Sequence, residues 1–77
     1  MDQRLQDIFA AALNIPASAV EAELDRRSVA EWDSLNHLRL VHAFEQQFGV
    51  QLTTAEILNL RTVGEFEQIL RGDRGHA

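Results

Sequence analysis

From Leu5 the apolar residues recur at Leu5, Ile8, Phe9, Ala12 and Leu13, the i, i+3, i+4, i+7, i+8 spacing that gives a helix one apolar face. Asp2 can cap this helix, and Asn14-Ile15-Pro16 ends it, because the residue before a proline is pushed out of the helical region. The spacing predicts a first helix over 3–13. Periodicity then fails over residues 14–33, where Val20 and Leu24 stand as isolated apolar anchors among Glu, Asp, Arg and Ser. So long a structureless segment is unusual in a small domain, so this connection is expected to be functional or ordered by its anchors. Within it, Ser28-Val29-Ala30-Glu31 fits a capping box and predicts one helical turn before Trp32.

A second helix is predicted from Asp33 as N-cap through Phe48, with Gly49 as the left-handed stop. Leu38, Leu40, Val41, Phe44 and Phe48 cover a broad arc of it, Leu35 lies beyond the arc's edge, and Asn36, Arg39, Ala43, Gln46 and Gln47 take the opposite face. So wide an arc predicts a central helix touched from several sides. Thr53-Thr54-Ala55-Glu56 is a capping box opening a short third helix through Ile57 and Leu58. Thr62-Val63-Gly64-Glu65 is another, opening a last helix with Val63, Phe66, Ile69 and Leu70 inward. The expected fold is all-α: a four-helix bundle with a long first loop and a short third helix, residues 1–71 forming the domain and 72–77 a frayed tail.

Composition narrows what such a bundle can do. Seventy-seven residues make one small domain, which on folding buries only about 60% of its unfolded surface, so a large enclosed active site is not expected. The 45% hydrophobic and 25% charged content is that of a packed globule. The absence of cysteine excludes disulfides and thiolate metal sites. No apolar run approaches the roughly 20 residues that span a bilayer, and the N-terminus has no signal-peptide pattern, so a cytoplasmic protein without membrane contact is expected. The seven basic residues are all arginines, scattered and outnumbered by twelve acids, which leaves no electrostatic footprint for nucleic acid.

Ser34 is the chemically informative position, a hydroxyl where a polar loop becomes an amphipathic helix. The order of signals around it resembles the acyl carrier protein family, including its peptidyl-carrier relatives. The likeness runs over nearly the whole chain: a helix, a long loop, Asp33-Ser34-Leu35 at the start of helix two, Glu45-Gln46-Gln47-Phe48-Gly49-Val50 at its end, and Thr62-Val63-Gly64-Glu65-Phe66 opening helix four. The resemblance implies that Ser34 is esterified by 4'-phosphopantetheine, delivered from coenzyme A by a magnesium-dependent phosphopantetheinyl transferase, and that the arm's thiol carries an acyl thioester. It also implies that Asp33 holds the turn and helps meet the transferase, and that Leu35 is an apolar partner contact beside the arm. In related carriers the acyl chain tucks between helices two, three and four, where Leu40, Phe44, Ile57 and Leu60 are the candidates here.

The sequence departs from the fatty-acid type of carrier at three positions. Where that type has acidic residues at the positions of Asn36 and Arg39 and an apolar residue at that of His42, this chain is neutral or locally basic. The expectation is therefore a specialised pathway (polyketide, nonribosomal peptide or modified fatty acid) with partner enzymes that read Leu35, Asn36, Arg39 and His42. Met1 and the complete helical order favour a free, monomeric carrier, itself non-catalytic. The alternative is an unmodified four-helix interaction module with the carrier fold.

Other constellations are weaker. Ser34 and His37 lie three apart on one helical face, but a cap at Asp33 is badly placed to orient the histidine from its far side, and no oxyanion hole is evident. His37, His42 and His76 lack metal-site spacing and are expected at the surface or its boundary. Trp32 is expected to anchor the loop, and Arg71-Gly72-Asp73 to be a chance likeness to an adhesion motif.

Overall fold

A computed structural model describes residues 1–72. Four helices follow one another: α1 (Gln3–Leu13), α2 (Ser34–Phe48), α3 (Thr54–Asn59) and α4 (Val63–Leu70). The boundaries follow from local chemistry. Asp2 caps α1 through the Arg4 N–H, and both threonine capping boxes form, Thr53 with Glu56 and Thr62 with Glu65. Gly49 ends α2 in the left-handed conformation at φ 63°. The stop of α1 is Asn14 itself, left-handed at φ 56°, a conformation its short polar side chain tolerates, with Pro16 following.

The core is organised around aromatic rings. Phe66 of α4 meets Phe9 of α1 edge-on at 5.1 Å and Phe44 of α2 at 5.1 Å, and Trp32 from the loop stands edge-on to Phe9 at 5.3 Å. Leu5, Leu13, Leu40 and Val63 complete the fully buried layer. Truncating a ring such as Phe66 to alanine is expected to cost about 3–5 kcal/mol. Among the described residues no helix is long and apolar enough to cross a membrane.

Residues 14–33 are ordered without being periodic. They contain two short 3-10 turns, Ala17–Ala19 and Arg26–Ser28, and bury Val20 and Trp32. The capping box expected at Ser28 does not form, and the single turn before Trp32 starts one residue later, with the Trp32 N–H donating to the Val29 carbonyl at 3.0 Å. Asp25 captures the chain first: its carboxylate accepts from the Arg27 N–H at 2.8 Å and holds its own pKa below the usual range by that bond. Ser28 then closes the turn, donating its hydroxyl to the Asp25 carbonyl at 2.9 Å, and Val29 runs on extended.

The loop is fastened to the start of α4. Asp25 and Thr62 form an isolated antiparallel bridge, with Arg26 N–H donating to the Arg61 carbonyl at 2.7 Å. The Val63 and Gly64 N–H groups donate to the carbonyls of Leu24 and Ala22 at 3.2 and 2.9 Å. Glycine at 64 eases this approach, since a Cβ there would stand 3.1 Å from the Ala22 carbonyl oxygen and the loop would have to give by a few tenths of an ångström.

Two expectations for α2 are corrected. Leu38, assigned to the inner arc, is 57% exposed, and His37, assigned to the surface or its boundary, is buried. At about 100° per residue, His37 falls in the middle of the arc through Leu40, Phe44, Phe48 and Val41, whereas Leu38 lies about 100° from that centre. Hydrophobicity misplaced both, and the angle alone would have placed them. His76 and most of the predicted 72–77 tail, including Asp73 of the Arg-Gly-Asp run, lie outside the described residues.

Candidate functional site

Ser34 occupies the first turn of α2. Asp33 precedes it as an extended N-cap whose carboxylate accepts the Asn36 N–H at 2.8 Å, and the first ladder bond runs from the His37 N–H to the Asp33 carbonyl at 2.8 Å. That leaves the N–H groups of Ser34 and Leu35 pointing out of the helix end with no protein acceptor among the described residues. Ser34 is exposed, and its hydroxyl makes no hydrogen bond to another described residue. A free nucleophilic oxygen therefore sits beside two free donors at the positive end of a helix dipole. An esterified phosphate fits there: the end of the helix stabilises such an anion by about 0.3–1 kcal/mol when exposed, and the Asp33 carboxylate already draws on part of that field.

The loop side of the junction is held from within. Trp32, two residues before Ser34, is buried against Phe9, and its backbone N–H donates to the Val29 carbonyl at 3.0 Å. Asn36 is half-buried, and its side-chain amide donates to the Glu31 carbonyl at 2.7 Å. Its nearest task is thus to strap the loop to the helix it has just entered. Sequence spacing does not reveal this bond, because it depends on the loop turning back at Val29.

His37 lies one turn beyond Ser34 with both ring nitrogens committed. The Trp32 indole N–H donates to Nδ1 at 3.0 Å, which obliges Nδ1 to keep its lone pair, so the proton sits on Nε2 and is donated to the Ile57 carbonyl at 2.7 Å. A histidine so engaged cannot take a proton from Ser34, and a nucleophile-base pair is excluded by geometry. Burial pushes its pKa below the ordinary histidine value, the bond to Ile57 opposes that, and the nearby Arg26 charge adds to it.

The outward face of α2 continues from the site. Leu35 is 59% exposed, and Leu38, Arg39 and His42 follow it on neighbouring exposed positions. This stripe carries no acid. Leu58 of α3, adjoining the Ile57 that bonds His37, is also exposed. Leu40, Phe44 and Leu60, candidates for lining an acyl groove, are buried in the core, and Ile57 is half-buried against it. A shallow groove lies elsewhere, between α1 and α2, lined by Arg4, Asp7, Ile8, Ala11, Ala12, Arg39, Ala43 and Gln47. Among the described residues there is no group of His, Asp and Glu arranged to hold a metal ion.

Comparison with known proteins agrees with this geometry. A family model described as a phosphopantetheine attachment site matches residues 3–70. An acyl carrier protein of Saccharopolyspora erythraea is 30% identical over 67 residues, covering 87% of this chain and 70% of its own length. An acyl carrier protein of Acidothermus cellulolyticus is 36% identical over 61 residues, covering 79% of this chain and 73% of its own.

Proposed function

Because this chain belongs to the acyl carrier protein family, whose cofactor is covalent 4'-phosphopantetheine, we propose that the arm is esterified to Ser34 and carries acyl groups as thioesters to successive enzymes. In the loading step the Ser34 oxygen forms a bond to the phosphorus of coenzyme A's phosphopantetheine half as the phosphoanhydride bond to the nucleotide half breaks. The serine proton leaves to a base on the transferase. The carrier supplies the oxygen, its orientation and two N–H donors, and it performs no catalysis of its own. The carrier domain is residues 1–71.

The observation that supports this most directly is the exposed, uncommitted Ser34 hydroxyl at an open helix end inside Asp33-Ser34-Leu35. The test is intact mass after incubation with coenzyme A and a broad-specificity phosphopantetheinyl transferase. The wild-type chain gains the mass of one phosphopantetheine group and Ser34→Ala gains none. A mass gain in Ser34→Ala, or none in the wild type, removes the assignment.

The partner surface is the outward stripe of α2, Leu35, Asn36, Arg39 and His42, extended by the exposed Leu38. Its acid-free character supports a specialised acyl pathway whose enzymes present neutral or acidic faces, because charge patterning selects partners more than it strengthens binding.

A further inference from the structure

We propose that His37 is a positioning residue for the loading of Ser34, a neutral imidazole clasp that locks the loop entering α2 and the end of α3 into one unit with the attachment helix. The inference rests on Ser34 being the loaded residue. It is carried by two hydrogen bonds of one buried ring and by the protonation state they demand.

The first contact is with the loop. Trp32 is the last buried side chain before Ser34, and its indole N–H ends on His37 Nδ1 at 3.0 Å. The two rings stack with centroids 6.2 Å apart, and Phe66 of α4 stands edge-on to the imidazole at 6.4 Å. The direction in which the chain enters α2 is thus set by a bond to the helix's own next turn.

The second contact is with α3. The Ile57 carbonyl lies in the last turn of a six-residue helix, where carbonyls lack intrahelical partners, and the N–H that would reach it, Arg61, donates instead to Glu65 at 2.6 Å. His37 Nε2 takes that vacancy at 2.7 Å. Losing the imidazole leaves a buried indole donor and a helix-end carbonyl unsatisfied together, which costs more than the loss of one exposed bond.

The third consideration is the protonation state that the clasp demands. A proton on Nδ1 would set two donors, imidazolium and indole, against each other, whereas the Nε2 bond to Ile57 survives protonation. Acid therefore opens the Trp32 end and spares the α3 end. Around the ring, α3 offers a carbonyl, α4 an aromatic ring, and the long loop the Arg26 charge, which disfavours the imidazolium.

The experiment separates positioning from mere stability. At a temperature where every variant is folded, loading of the full chain by the transferase is timed by intact mass for wild type, His37→Phe, His37→Asn, His37→Gln and a core control, Leu13→Ala. His37→Phe keeps an aromatic volume without either bond and is expected to load about tenfold more slowly. Leu13→Ala, destabilised at least as much, is expected to load at the wild-type rate. Asparagine, which can still accept from the indole, should restore more of the rate than glutamine, which can reach only Ile57. A wild-type rate in His37→Phe, or an equal slowing in Leu13→Ala, overturns the proposal.

A second measurement needs no transferase. The chain has one tryptophan, so the indole N–H resonance reports this bond alone. It is expected to move as pH falls below the ordinary histidine range in the wild type and to stay constant in His37→Asn. A wild-type indole resonance indifferent to pH until the protein unfolds overturns the clasp. If the wild type does not load at all, or Ser34→Ala does, the attachment assignment fails while the indole measurement still judges His37.

Discussion

Two helices in this chain begin in the same chemical way and end up doing opposite things. Both α2 and α4 open on a side-chain N-cap, Asp33 in one and Thr62 in the other. At α4 the first N–H groups are all consumed: Val63 by the Leu24 carbonyl, Gly64 by the Ala22 carbonyl, and Glu65 by Thr62 Oγ1 at 3.2 Å. At α2 the cap takes the Asn36 N–H, and those of Ser34 and Leu35 remain open. A helix N-terminus is a small positive site wherever it occurs, and the chain decides whether to close it with its own carbonyls or to leave it for something else. The glycine at the second position of α4 admits the loop. The serine at the first position of α2 offers an oxygen.

The comparison can be broken at either end. The largest effect is expected at the closed one: Gly64→Val forces a branched side chain against the Ala22 carbonyl and should cost about 1–3 kcal/mol by urea unfolding, whereas Ser34→Ala at the open end should change stability by less than about 0.5 kcal/mol. Equal costs would mean that the open end is tied down by contacts the geometry does not show. Removing the caps should follow. Thr62→Ala and Asp33→Ala are each expected to lose about 1 kcal/mol, while Asp33→Ala alone also slows the mass gain with coenzyme A.

A smaller, pH-dependent difference arises beside the open end. His37 has a folded pKa below its unfolded value near 6.5, so the unfolded chain binds more protons across that interval. Stability through this group is complete above about pH 6.5 and declines as pH falls from there to the folded value. Thermal unfolding at stepped pH should show a decline in the wild type that is shallower in His37→Phe. The smallest stability change is expected for Arg39→Glu, exposed on the outward stripe: within about 0.5 kcal/mol of wild type, with Ser34 loading intact and use by the native partner enzymes altered. Unchanged partner kinetics would remove Arg39 from the recognition surface.

What was legible in the sequence was whatever repeats or punctuates. The helix limits, both threonine boxes, Gly49 and the Asp33 cap could be read because each depends on residues within one turn of one another. The attachment proposed at Ser34 rests on its position in a sequence of such signals. Of the long loop, the buried anchors Val20 and Trp32 could be read but its fastening could not, because that comes from partners far along the chain, Asp25 with Thr62 and Ala22 with Gly64. The angle of His37 puts it in the middle of the apolar arc, but its partners were hidden for a related reason: neither the Trp32 nor the Ile57 pairing that satisfies it follows from helical spacing.

The fastening of the loop to α4 also sets an order of events during synthesis. Trp32 can meet Phe9 and His37 as soon as those residues exist, but residues 22–26 reach their partners at 61–64 only about forty positions further along. A nascent chain that ends before Arg61 holds the serine by its local contacts alone. The fastening of residues 22–26, unlike those local contacts, is completed only when the start of α4 has been made.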